Sequence, residues 1–226
     1  MKKLSIVIVV FLSFFTTLHA TGIEVKLNEK NQTVESINKA VAKAEKIVDA
    51  LGLTDEIQKA NVQNVIANRY LELYKIHADY EARDENIKTM DLEEKEPDAL
   101  EHSYYECNSF LYRSRFGYIT WLSFYLTEDQ IETVKNEMTD NMLKVRYDAF
   151  VDMLPQMTET QKHRVYSWLV EAREFSMDFV TGRKMRQMFT KYRGRINNYL
   201  ARECGYDIAK AAREQEERLL SQKERK

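Results

Sequence analysis

Proline occurs twice and glycine six times in 226 residues. That is too little turn-forming material for a sandwich or barrel of many short strands. Cysteine is equally scarce: Cys107 and Cys204 cannot build a tetrahedral zinc site by themselves. They are either one disulfide or two buried thiols, and sequence separation does not decide between these. The histidines His102 and His163 show no metal-ligand spacing, and the chain contains no nucleophile elbow or phosphate-cradling glycine loop. No metal and no cofactor is therefore expected. With 34 basic against 36 acidic residues there is no excess of positive charge to hold a nucleic acid.

Long apolar runs are also missing, with one exception at the start. Lys2 and Lys3 precede a stretch from Leu4 to Phe15 that is apolar apart from Ser5 and Ser13, and Leu18, His19 and Ala20 follow. This is the charged, apolar and small-residue order of a secretory signal peptide, with cleavage expected after Ala20. The run is too short to cross a bilayer, and nothing later approaches the roughly 20 apolar residues of a membrane helix. Residues 21–226 then form a single domain without a membrane span, placed in the periplasm or outside the cell. The remaining chain has 32 basic and 36 acidic side chains.

Apolar residues recur at helical spacing throughout, which predicts an all-α fold of about eight helices: a helical bundle with a long protruding helical hairpin. Val34, Ile37, Val41, Ala44, Ile47, Val48 and Leu51 mark a first helix, stopped by Gly52. A second, capped by Thr54, carries Val62, Ile66, Tyr70, Leu73, His77 and Tyr80. From Glu81 to Glu101 there are nine acidic and three basic residues, the composition of a solvated hairpin tip. Pro97 suits the first turn of a returning helix that buries Leu100, Tyr104, Cys107, Leu111, Tyr118, Trp121 or Leu122, and Tyr125.

A compact C-terminal half is expected over residues 126–210. The strings Leu126-Thr127-Glu128-Asp129-Gln130 and Met157-Thr158-Glu159-Thr160-Gln161 are helix starts in which threonine and glutamine cap the backbone reciprocally. Between them, apolar residues from Met142 to Leu154 cover so much circumference that this segment should be central, and Pro155 stops it. Val165, Trp168, Leu169, Ala172, Phe175 and Phe179 give a stripe ending at Gly182. Met185, Met188, Phe189, Tyr192, Ile196, Tyr199 and Leu200 give the next, before Gly205, and Asp207 caps a charged last helix.

Several strings in this half carry a resemblance. Met138-Thr139, Leu154-Pro155, Trp168-Leu169, Glu171-Ala172-Arg173-Glu174, Met177-Asp178, Lys191-Tyr192-Arg193-Gly194-Arg195-Ile196-Asn197-Asn198-Tyr199-Leu200 and Gly205-Tyr206-Asp207, with Leu51-Gly52-Leu53-Thr54-Asp55 upstream, resemble the secreted domain-of-unknown-function 3826 family. The likeness spans about residues 34–210. It departs at Glu137, where the pattern has glycine in a G-M-T turn, and in the hairpin tip, where it is rich in alanine and lysine. The resemblance implies an exported protein in a polysaccharide-degrading setting and implies no reaction. A fainter likeness, to periplasmic helical chaperones with L-T-x-x-Q motifs, rests on Leu126 to Gln130 and Met157 to Gln161, strings that a capping box also explains.

Candidate chemistry concentrates between Glu171 and Arg202. Arg183 to Arg202 holds seven basic residues and no acidic one. Helical spacing puts Arg193 with Asn197 and Arg195 with Asn198, and a guanidinium fork beside an amide suits a carboxylate with a neighbouring hydroxyl, as in an acidic oligosaccharide. Glu171, Glu174 and Asp178 share a stripe of the preceding helix. Together with Lys191 these eight residues form either a ligand site or a set of ion pairs between two helices. Gly194, costly inside a helix, points to close approach of another group. His77 sits on an apolar stripe and is expected as a hydrogen-bonded core histidine. The chain is thus read as a binding or accessory protein, with a carbohydrate-active enzyme using helix-borne carboxylates as the alternative and a chaperone-like protein as a minor one.

Overall fold

A computed structural model describes residues 23–90 and 92–224. The expected signal peptide lies outside them. Eight α-helices follow one another: α1 Val34–Leu51, α2 Glu56–Thr89, α3 Glu96–Ser123, α4 Glu128–Met138, α5 Met142–Met153, α6 Glu159–Ser176, α7 Gly182–Arg202 and α8 Ile208–Glu224. No strand occurs among the described residues. The all-α expectation holds, and α2 with α3 forms the long hairpin, with Pro97 in the first turn of α3.

Local signals set most boundaries. Gly52, at φ 61°, adopts the left-handed conformation that ends α1. The cap of α2 is Asp55, one residue after the expected Thr54; its carboxylate accepts the amides of Ile57 and Gln58 at 2.8 and 2.9 Å. Capping boxes close at both Thr127–Gln130 and Thr158–Gln161. Both L-T-x-x-Q-like strings are therefore occupied in satisfying backbone groups.

Three apolar clusters hold the helices together. The first joins Ala40, Ala44 and Val48 of α1 to Val62, Ile66 and Tyr70 of α2, Tyr118 and Leu122 of α3, and Ile131 and Val134 of α4. The second joins Leu143 and Phe150 of α5, Leu169 and Ala172 of α6, Phe189, Ile196 and Leu200 of α7, and Ala211 of α8. A small third cluster, Leu73, Ile76 and Leu111, lies within the hairpin. Each fully buried large side chain stabilises the fold by about 1.5–3 kcal/mol.

Three expectations need correction. The α5 segment is amphipathic and not central: Leu143 and Phe150 are buried on one face, while Val145 is 58% exposed on the other. Helix α6 stops at Ser176, not at Gly182, which instead opens α7. In α3 Leu122 takes the buried position, leaving Tyr104 and Trp121 exposed.

An extended segment, residues 23–28, is strapped along α2 by asparagine side chains. Asn61 Oδ1 accepts the Val25 amide at 2.8 Å, and Asn64 Nδ2 donates to the Val25 carbonyl at 2.8 Å. Asn68 accepts from the Asn28 amide at 2.7 Å and donates to the Lys26 carbonyl at 2.9 Å. The spacing 61, 64, 68 keeps all three on one helix face.

Candidate functional site

Two polar arrangements stand out beyond the apolar cores. The first is a buried ion cluster that ties the segment after α6 to the hairpin. Asp178, only 5% exposed, accepts from Arg69 of α2 at 2.8 Å and from both Nε and Nη2 of Arg115 of α3. Arg69 also donates to Glu72 at 2.6 Å and to Ser114 at 2.8 Å. The Asp178 backbone carbonyl bonds His77 Nε2 at 2.7 Å, and the His77 ring stacks on Phe179 at 6.4 Å. His77 is hydrogen-bonded as expected, to this carbonyl.

The second is a cleft of about 420 Å³ between the hairpin and α7. Helix α7 contributes Lys184, Gln187 and Lys191, whose spacing places them on one face. The facing walls carry His77, Tyr80, Glu81 and Asp84 from α2 and Tyr104, Cys107 and Asn108 from α3, and Phe179 also lines the cleft. Asp84 is anchored by the Ser103 hydroxyl at 2.6 Å, and Lys184 reaches Glu81 at 3.4 Å. Lys191 is exposed and has no ion-pair partner among the described residues. Burial pushes the Cys107 thiol up, and Asp84 adds to the rise despite Lys184. It stays protonated and is a poor nucleophile.

The structure separates most of the residues that the sequence grouped. Lys191 lines the cleft. Arg195 instead lies over the Trp168 ring at 4.6 Å and pairs with Glu171 at 3.2 Å, both partners about half exposed. Glu174 pairs with Lys135 at 3.3 Å and Arg173 at 2.9 Å. Asp178 lies beyond the end of α6 and belongs to the ion cluster, so the three carboxylates do not form one stripe. Arg193 and Asn198 are exposed, while the Asn197 Oδ1 is buried without a partner among the described residues. Gly194 is approached by nothing: a Cβ there would meet no atom within 4 Å.

Arg173 is a further buried charge, 1% exposed, held by Asn136 at 2.8 Å and Glu132 at 2.8 Å. Partial burial pushes the Glu132 carboxyl up, but hydrogen bonds and charge from Lys135 and Arg173 outweigh this and hold it below the ordinary carboxylate value. The cysteines do not pair: Cys107 faces the cleft, Cys204 packs at the end of α7, and both are free. At the G-M-T departure, Glu137 is helical. The left-handed residues are Asp140 and Asn141, at φ 52° and 54°, so the turn does not require glycine at 137.

The model of a protein family described as "Protein of unknown function (DUF3826)" matches residues 37–220. The chain belongs to the DUF3826 family. No curated protein matches it. The matched span takes in nearly all of the DUF3826 chain described above, both the ion cluster and the cleft included. No helix among the described residues of this DUF3826 protein is long and apolar enough to cross a membrane.

Residues missed at the sequence level are Arg69, Arg115 and Arg173, each making a contact far along the chain, with Arg69 and Arg173 buried and Arg115 partly so. A single arginine on an otherwise apolar helix face is the one signal that could have marked Arg69, which lies between Ile66, Tyr70 and Leu73.

Proposed function

We propose that this DUF3826 protein is an exported binding protein that takes an acidic oligosaccharide in the cleft between the hairpin and α7. The observation that carries this reading is the pairing of unlike walls. Lys191, without an ion-pair partner among the described residues, stands on one side beside Lys184, which reaches Glu81, and the exposed Tyr104, with Tyr80, stands on the other; Asp84 is turned to the Ser103 hydroxyl. An ammonium recognises a carboxylate, and an aromatic face accepts the apolar side of a ring. Asn108 and Gln187 supply amide donors and acceptors for hydroxyls between them. The volume falls within the range of small-ligand sites.

Binding is favoured over hydrolysis because Glu171, Glu174 and Asp178 are committed to separate ion pairs. Most glycoside hydrolases place two carboxyl groups on either side of one bond, and these three do not come together. The polysaccharide setting implied by the family resemblance agrees with this reading.

Calorimetric titration with oligogalacturonides tests the proposal. Lys191→Ala should weaken binding about tenfold or more, the size of one charge-assisted contact, with an unchanged melting temperature. Affinity should also fall as salt rises. Wild-type affinity in Lys191→Ala, or no heat of binding in the unmutated protein, would end the assignment.

A further inference from the structure

Farther from the hairpin tip a second hollow, of about 540 Å³, lies between α2, α3 and the strapped segment. Its α3 wall is Ser114, Gly117, Tyr118 and Trp121, positions three, four and seven apart and therefore on one face. Trp121 is 42% exposed and meets the Phe124 ring edge-to-face at 5.8 Å, which leaves part of the indole open to the hollow. Gly117 is helical and open: a Cβ there would meet nothing within 4 Å. Glycine inside a helix costs about 1 kcal/mol, and here no neighbouring atom of the chain accounts for it. Its effect is to leave the hollow unobstructed beside Trp121.

The charges around the hollow select the ligand. Glu24 and Glu72 are matched by Lys26 and Arg69, so neither a cation nor an anion is favoured by net charge. The Arg69 guanidinium is already engaged by Glu72, Ser114 and Asp178, and it is not available as an anion clamp. Apolar surface is interrupted by Glu24, Lys26, Asn28 and Glu72, which a wholly apolar guest would desolvate without a partner. What remains is an uncharged molecule with hydroxyls and one flat apolar face.

We infer that this hollow is a second binding site, for a neutral sugar ring stacked on Trp121 with its hydroxyls directed to Glu72 and Lys26. The site is independent of the α7 cleft and differs from it in ligand charge. It shares with the cleft only the ion cluster between them, since Arg69 borders one hollow and His77 the other, and both bond to Asp178.

Trp121 supplies its own reporter, because the chain has only two tryptophans. In a Trp168→Phe background, glucose, galactose, mannose and xylose are titrated to high millimolar concentration while Trp121 emission is followed. At least one should give a saturable change. Gly117→Leu places a side chain in the hollow at a helical position that favours it, so this variant should melt at or above the parent temperature and lose the response. Glu72→Gln, which keeps the shape of the wall, should weaken the response about tenfold. No saturable change with any of the four sugars would overturn the inference, as would an undiminished response in folded Gly117→Leu or in Glu72→Gln. Loss of the response in Lys191→Ala would overturn it too, by assigning the signal to the α7 cleft; an unaffected Lys191→Ala would leave the second site standing even if oligogalacturonides fail to bind.

Discussion

The first apolar core and the second are assembled by different means. In the second, α5 to α8 are joined by short connections, and neighbours in sequence pack on one another through leucine, phenylalanine and methionine. The first is richer in alanine, valine and isoleucine, holds the tyrosines Tyr70, Tyr118 and Tyr125, and takes in Met177 from the far side of the chain. It is bordered by long-range polar contacts: the asparagine strap, Arg173 on Asn136, and Arg69 on Asp178 across 109 positions. Both halves thus rest on apolar packing between neighbouring helices, and the first adds a few charges placed where water cannot replace a lost partner.

The sharpest way to break this contrast is at Asp178. Replacing it with Ala strips Arg115 of its carboxylate partner and leaves the almost wholly buried Arg69 with Glu72 and Ser114 alone, and should destabilise the protein by about 3–5 kcal/mol in urea or thermal unfolding. A loss under about 1 kcal/mol would mean that the Asp178 cluster adds little to the other contacts that join the two halves.

A second comparison uses the same device in each half. Thr127→Ala and Thr158→Ala each remove a capping box, and each should cost about 1 kcal/mol. Equal losses would show that the caps act locally in both halves; a much larger loss at one would tie that helix start to the packing around it.

The smallest effect is expected at Arg195. Its side chain is 52% exposed and its partner Glu171 44% exposed, so solvent screens the pair. Stacking on Trp168 adds a further exposed contact, and Arg195→Ala should lower stability by only about 0.5–1 kcal/mol. A fall comparable with that of Asp178→Ala would place Arg195 among the structural charges of the molecule.

These differences also explain what the sequence could disclose. Helices, left-handed glycine stops at 52 and 205, the proline-started return of the hairpin and both capping boxes are written in residues a few positions apart. They were legible because each is decided locally. The candidate site was legible only in part: Lys191 was singled out and lines the cleft, but its opposite wall comes from residues 77–108, which no local pattern links to α7. Asp178 was assigned to the wrong surroundings because Phe175 and Phe179 extend the 3.6-residue rhythm past Ser176, where the helix has already ended. Asn61, Asn64 and Asn68 read as an ordinary polar helix face. Their real work is visible only once the strap lies against them.

That strap is held by a match of lengths. From Asn61 to Asn68 a helix advances about 10 Å, and from Val25 to Asn28 an extended chain advances about the same distance. Two backbones with different pitches therefore come into step at both ends of this short stretch, as the marks of a vernier coincide. Sliding the strap by one residue would move every amide out of phase with its asparagine at once. Register here is set by arithmetic between two periodicities, with no sheet required to enforce it.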